Sequence, residues 1–321
     1  MECESLNILI TGAAGFIGSS LADKLLLEGN RIINVDNFND YYDVKIKWRN
    51  ISSNIFNDHY KLYCLNIENK EELAKVFKNE KIDVVVHLAG RAGVRPSILN
   101  PECYVTTNIL GTIHILELMK DFGVKKIVFA SSSSVYGNCS AESFSENLKV
   151  VEPISQYAAT KSSDEQFVYT YTKLYGIKAV CLRFFTVYGP RQRPDLAINK
   201  FTRLILNGEP VPMYGDGSTM RDYTYIDDIV SGIQSAIVYD KTPYEIINLG
   251  GGEPITLIRM IETIEAELGK KADIKRLPMQ AGDVTKTVCD YSKAETLLKY
   301  HPKTTFKEGI HLFCEWYKKL S

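Results

Sequence analysis

The sequence predicts an α/β fold built on a doubly wound parallel sheet, with a smaller, discontinuous α/β portion beside it. Three observations carry this. Strand-like and helix-like segments alternate from residue 6 to about residue 185. A glycine-rich turn separates the first strand from the first helix, and the second strand ends on an acid. After Thr186 the elements become shorter and less regular. Strict alternation requires a parallel sheet with helices on both faces. Ligands of such sheets bind beyond the carboxyl ends of the strands.

The first strand, residues 6–11, runs into Gly12-Ala13-Ala14-Gly15-Phe16-Ile17-Gly18, and a helical stretch follows to Gly29. Gly12 permits a tight turn, Gly15 lets backbone approach a pyrophosphate, and Gly18 lets the helix pack on the sheet. The helix N-terminus attracts phosphate. This is a Rossmann dinucleotide fingerprint. The second strand, 31–35, ends at Asp36, where a carboxylate accepts from adenosine ribose hydroxyls. Asn37, Phe38 and Asn39 follow, with no Arg for a 2′-phosphate, so the expected cofactor is NAD rather than NADP.

Further strands are predicted at 60–65, 83–88, 126–131 and 177–185, with the longest helices at 101–122 and 156–175. At the end of the 126–131 strand stands Ser132-Ser133-Ser134-Val135-Tyr136-Gly137, and Tyr157-Ala158-Ala159-Thr160-Lys161 opens the later helix. Tyr157 and Lys161 share one helix face by their i, i+4 spacing. An ammonium beside a phenol favours the phenolate, so Lys161 is expected to lower the Tyr157 pKa. A serine hydroxyl at the strand end holds the oxygen that Tyr157 deprotonates. Tyr157, Lys161 and a hydroxyl of the serine run thus form a proton-transfer set for an alcohol.

Past Thr186, Tyr188-Gly189-Pro190-Arg191-Gln192-Arg193-Pro194 reads as a loop, and Asn207-Gly208 and Gly215-Asp216-Gly217 read as turns. Residues 246–249 read as a buried strand that rejoins the large sheet. The expected division is 1–189 plus about 225–252 for the dinucleotide-binding domain, and about 190–224 plus 253–321 for the second.

Composition narrows the class. The chain of 321 residues carries 38 basic and 39 acidic side chains, for a formal charge of −1, so no basic stripe points to nucleic acid. No apolar run approaches the ~20 residues of a membrane span. The acidic N-terminus does not read as a signal peptide. Seven cysteines without a C-x-x-C pair read as reduced thiols in a cytoplasmic protein. The five histidines lack metal-ligand spacing, and His87 at a strand end reads as a satisfied core histidine; no metal is expected.

These motifs, with Arg183-Phe184-Phe185-Thr186-Val187-Tyr188-Gly189-Pro190 and Arg221-Asp222-Tyr223-Thr224-Tyr225-Ile226-Asp227-Asp228 in order, resemble the extended short-chain dehydrogenase/reductases acting on nucleotide sugars. Within that family the chain looks most like UDP-glucuronate 4-epimerases. Asp36-Asn37-Phe38-Asn39-Asp40-Tyr41-Tyr42-Asp43, Ala92-Gly93-Val94-Arg95 and Arg193-Pro194-Asp195 approximate their pattern. The resemblance implies that Tyr157 removes the proton of the sugar 4-hydroxyl while NAD takes the C4 hydride. Lys161 binds the nicotinamide ribose, and Ser132 hydrogen-bonds the reacting oxygen. The 4-keto sugar turns over in the pocket and the hydride returns to its other face.

The resemblance also separates sister activities. Dehydratases carry an Asp-Glu pair where Ser133 and Ser134 stand, and decarboxylases usually place a carboxylate near Ser133. UDP-glucose 4-epimerases typically have Asn at the Thr186 position. Thr186, Ser133, Ser134 and Arg193 are the candidates for gripping a C6 carboxylate, Arg because its planar fork matches one. For the UDP moiety the resemblance points to Arg221 on the diphosphate and Asp283 on the uridine ribose, with Lys200 and residues 196–199 nearby. Gln280 stands where relatives often have Arg. Expected cofactor contacts are Gly12, Gly15, Phe16, Ile17, Gly18, Asp36, Asn37, Asn39, Ile67, Leu88 and Ala89, with Tyr157 and Lys161. Asn66 joins them in place of the family's usual Asp, accepting from the adenine amino group without charge. A homodimer through the two long helices is implied as well.

Other polar residues have plainer readings. Asp195, Asp227 and Asp228 read as helix-start residues, Arg95 as the anchor of a glycine loop, Arg191 as a solvated loop charge, and Tyr41-Tyr42 as packing. The competing functions are a UDP-glucose or UDP-N-acetylglucosamine 4-epimerase on the same scaffold and a non-catalytic NAD or nucleotide-sugar sensor. The intact Ser132, Tyr157 and Lys161 argue against the sensor.

Overall fold

A computed structural model describes residues 5–278 and 284–320. Its strands are β1 Asn7–Thr11, β2 Arg31–Asp36, β3 Tyr60–Cys64, β4 Val84–His87, β5 Lys126–Ser132, β6 Lys178–Phe184, β7 Thr186–Tyr188, β8 Val211–Tyr214, β9 Met220–Tyr225, β10 Tyr244–Leu249, β11 Pro254–Thr256 and β12 Ile274–Leu277. Seven of them form one sheet in the order β3-β2-β1-β4-β5-β6-β10, and every pairing in it is parallel. The chain winds from β1 toward β3, then crosses back to place β4 on the other side of β1. That reversal opens a crevice between the carboxyl ends of β1 and β4.

The central strands are largely apolar because both sheet faces are covered. Ile8, Leu9 and Ile10 are all fully buried. Ile8 and Ile10 belong to one core cluster and Leu9 to the other, as the two-residue strand period demands. The helix Gln156–Tyr175 starts where the Ser155 side chain accepts from the Ala158 N–H and stops at Gly176 with φ +66°. One predicted helix differs from expectation. Residues 101–122 form Pro101–Tyr104, a π-helical segment Val105–Leu110, and Gly111–Phe122. The π segment adds a residue within the helix, which hydrophobic spacing does not announce.

The strand β10 joins the large sheet beside β6, as residues 246–249 led us to expect. Two small sheets follow the change of texture, β11-β9-β7 and β12-β8. β7 lies before the expected boundary at 189 yet pairs with β9. Asp222 on β9 is fully buried, and its carboxylate accepts from the N–H groups of Gly251, Gly252 and Cys289 at 2.8, 2.8 and 3.0 Å. Asp227 and Asp228 lie in the first turn of the helix Ile226–Val238, as expected, and the Asp228 carboxylate also accepts from Lys303 and Thr304 N–H, tying down a distant loop. Among the described residues no helix is long and apolar enough to cross a membrane, no cluster suits a metal ion, and the cysteines are free.

Candidate active site

A cavity of about 360 Å³ lies at the carboxyl ends of the strands around the β1/β4 crossing. It is lined by every residue expected to hold the cofactor: Gly12, Gly15, Phe16, Ile17, Gly18, Asp36, Asn37, Asn39, Asn66, Ile67, Leu88, Ala89, Tyr157 and Lys161. The glycine turn has the geometry its sequence implies. Gly12 has φ +77°, and a Cβ there would stand 2.9 Å from the Ala89 nitrogen. A Cβ on Gly18 would stand 2.3 Å from the Gly12 carbonyl oxygen, so only glycine lets the helix Phe16–Leu27 sit this close to its own turn. The Asp36 carboxylate accepts from the Ala14 and Phe38 N–H groups and lines the same space. A cradle that a Cβ would fill, with an acid beyond it, fits a dinucleotide with an unphosphorylated adenosine ribose.

At the other end, Tyr157 is deeply set and its phenol hydrogen-bonds Ser132, which also accepts from the Ser134 N–H at 3.1 Å. Lys161 is 5% exposed and its Nζ donates to the Ala130 carbonyl at 2.8 Å, above the Phe129 ring. Burial pushes the Tyr157 pKa up, against the downward pull of the Ser132 bond and the Arg193 charge. Burial also presses the Lys161 pKa down, and the Asp164 and Glu165 carboxylates oppose this. Glu165 is held by Arg183 through Nε at 2.8 Å and Nη2 at 2.7 Å, and it accepts from Ser131. Asp164 is fully buried with neither oxygen hydrogen-bonded, and burial pushes its carboxyl up to about 7.

The expected substrate residues divide. Thr186 and Arg193 line the cavity; Ser133, Ser134, Lys200 and Arg221 do not. Ser133 and Ser134 form the short turn after Ser132. Lys200 lies on the helix Ala197–Asn207, and Arg221 on β9 donates from Nη1 to the Met220 carbonyl at 2.8 Å. Gln280 and Asp283 lie outside the described residues.

Asp195 does not start a helix but stands one residue before Leu196, the cap of Ala197–Asn207; its carboxylate takes the Arg193 fork at 3.0 and 2.7 Å. Arg191 pairs with Asp23 at 2.7 Å instead of facing solvent alone. Arg95 lies over the Tyr214 ring at 4.8 Å. Tyr41 and Tyr42 line the cavity, Tyr41 beneath Arg193 and Tyr42 beneath Lys47. Lys47, which no sequence motif marks, is 5% exposed, lies 3.5 Å from Asp36, and lines the cavity beside it. Asn108, on the π segment and likewise unmarked in the sequence, accepts from Arg91 N–H at 2.7 Å and donates to Thr160 Oγ1 at 3.0 Å, joining the loop after β4 to the helix of Tyr157. His87 is the satisfied core histidine anticipated, between Thr11 Oγ1 at 2.6 Å and Thr112 Oγ1 at 3.0 Å, with its pKa lowered to about 3 by burial.

Comparison with known proteins bears on this site. The family model described as GDP-mannose 4,6 dehydratase matches residues 9–313. A UDP-glucuronate 4-epimerase of Thermodesulfobacterium geofontis is 46% identical, with 97% of this chain and 96% of the relative covered. The crystal structure of UDP-glucuronic acid 4-epimerase from Bacillus cereus in complex with UDP-glucuronic acid and NAD superposes with a TM-score of 0.92 at 38% identity, covering 98% of this chain and 100% of that one. The UDP-glucose 4-epimerase of Thermotoga maritima with UDP-glucose superposes with a TM-score of 0.90 at 34% identity, covering 98% and 99%. A glycine cradle, a Ser132–Tyr157 pair and a match along nearly the whole chain lead to one assignment: the protein belongs to the GDP-mannose 4,6 dehydratase family of nucleotide-sugar enzymes.

Proposed function

We propose that the protein is an NAD-dependent 4-epimerase that interconverts UDP-glucuronate and UDP-galacturonate through a transient 4-keto sugar. The observation that carries this is the convergence of Tyr157, Lys161, Thr186 and Arg193 on the cavity that holds the glycine turn. Gly12, Gly15, Gly18 and Asp36 would hold NAD, which when bound accepts the hydrogen and electron pair from C4 and gives them back. Tyr157 takes the 4-hydroxyl proton and later returns it. Ser132, bonded to that phenol, shares the reacting oxygen. Lys161 lines the cavity one helical turn from Tyr157 and would hold the nicotinamide ribose. Dehydration needs an acid and a base beside the sugar, and Ser133 and Ser134 supply neither.

A 4-keto uronate is a β-keto acid, which loses CO2 when the breaking bond aligns with the carbonyl π system. The enzyme must hold the C6 carboxylate out of that alignment. Arg193, over the cavity with Thr186, is suited to this. Arg221, Lys200, Gln280 and Asp283 are assigned to the UDP moiety, and the cap to about 190–224 plus 253–321. Phe122, Tyr169, Leu174 and Tyr175 are exposed on Gly111–Phe122 and Gln156–Tyr175, which supports a homodimer through these helices. Free thiols suit a cytoplasmic setting.

The test is chromatography of UDP-glucuronate, UDP-glucose and UDP-N-acetylglucosamine after incubation with purified protein. UDP-galacturonate should form with no accumulation of NADH, and NAD should co-purify. Tyr157→Phe should slow turnover by ~10²–10⁴-fold while substrate still binds. Stoichiometric NADH, or near-native turnover by Tyr157→Phe, refutes the mechanism; preference for UDP-glucose refutes the substrate.

A further inference from the structure

Arg193 leaves a loop, and an arginine on a loop samples many rotamers unless something holds it. Three contacts hold this one. Asp195 takes the Nε/Nη2 edge of the guanidinium, at 3.0 and 2.7 Å. The Tyr41 ring covers one face, 5.1 Å from the guanidinium carbon. Tyr41 is itself pinned, since its hydroxyl donates to the Ala92 carbonyl at 3.0 Å. The Tyr104 hydroxyl donates to the same carbonyl at 3.4 Å, and its ring meets Tyr157 edge-on at 6.3 Å. The clamp therefore joins the loops after β2, β4 and β7 and runs to the catalytic phenol.

Its orientation is informative. Tyr41 and Arg193 line the cavity, whereas Asp195 does not. The Arg193 side chain is 17% exposed and that of Asp195 is 44% exposed. Asp195 thus grips from the solvent side, and the Nη1/Nη2 edge is the one it leaves unengaged. That edge is a second bidentate site for a carboxylate. We propose that Tyr41 and Asp195 are positioning residues that aim Arg193 at the carboxylate of a uronate, and so set the preference over neutral hexoses. This rests on the function proposed above.

The experiment measures calorimetric dissociation constants of UDP-glucuronate and UDP-glucose on NAD-loaded native protein and on Arg193→Ala, Asp195→Asn, Tyr41→Leu and Tyr41→Phe. The readout is the ratio of the two constants, which a general loss of folding does not change. Asp195→Asn and Tyr41→Leu should lower the preference for UDP-glucuronate on the order of ten-fold. Tyr41→Phe keeps the ring over the guanidinium and should restore most of what Tyr41→Leu loses. A UDP-pentose by-product, from a ketouronate held less firmly, should rise in the same order.

If Arg193→Ala abolishes the preference while Asp195→Asn and Tyr41→Leu keep it, the positioning role is overturned and the uronate reading stands. Equal weakening of both ligands also overturns it, leaving a loop-structural role. If native protein shows no preference for UDP-glucuronate, the uronate reading itself fails.

Discussion

Gly18→Ala should damage cofactor binding although position 18 would gain only a methyl group. The added carbon would lie 2.3 Å from the Gly12 carbonyl oxygen and 2.7 Å from the Ala13 Cα. Carbon contacts settle near ~3.5 Å, so relief requires a shift of roughly 1 Å. Both obstacles are backbone, so no side chain can swing away. The helix Phe16–Leu27 must back off from the turn, or the turn must deform. Overpacking of this kind costs about 1–3 kcal/mol. A displacement of about 1 Å at a positioning element can cost on the order of 10²-fold in function. The assay is NAD affinity by calorimetry on NAD-stripped protein, with a urea denaturation midpoint for each variant. Gly29→Ala is the control. Its φ is +83° but nothing lies within 4 Å of its Cβ, so it should lose about 1 kcal/mol of stability from backbone strain and bind NAD as native does. Native NAD affinity and stability in Gly18→Ala would refute the close-approach argument.

Two further predictions concern the helix that carries Tyr157. Asp164 has its carboxyl raised to about 7 from 3.8, so between these values the folded state holds a proton that the unfolded state releases. Its contribution to stability therefore falls as pH rises through that window, and the gain from Asp164→Asn should be larger near ~pH 8 than near ~pH 4, read by urea titration at both. An equal gain at both values would contradict a buried, unpartnered carboxylate. Glu165→Ala leaves the buried Arg183 without its bidentate partner and should cost about 3–5 kcal/mol in the same titration, whereas a loss below about 1 kcal/mol would show that water reaches Arg183.

The parts of the site written in backbone requirements were legible in the sequence. Gly12 and Gly18 stand where only glycine fits, and Tyr157 and Lys161 share a face because a regular helix carries them. Contacts chosen by side-chain chemistry were not. Asp195 precedes a helical run, which is the pattern of a cap, but an arginine two residues earlier claims its carboxylate. Lys47 reaches Asp36 from the helix Val44–Ile51, and an amphipathic helix pattern does not distinguish a buried lysine from a solvated one. The sign of the Tyr157 shift depends on tertiary burial, which outweighs the neighbouring charges. Spacing along the helix places Lys161 near the phenol, but only the fold shows its ammonium turned to Ala130.

Asp222 has a consequence for the order in which the protein is made. Its three amide partners lie 29, 30 and 67 residues further along the chain. On the ribosome, β9, with the Thr224 hydroxyl as the only partner of its own, is therefore synthesised long before the three amides that bond its buried acid exist. Until residue 289 has emerged, this carboxylate is better off in water, and β9 cannot be sealed in its final place without leaving a charge uncompensated. The large sheet reaches six of its strands by Phe184 and needs no such wait. A nascent chain arrested just short of Cys289 should thus present a protease with a formed sheet and an unsealed remainder, and release of a few more residues should close it.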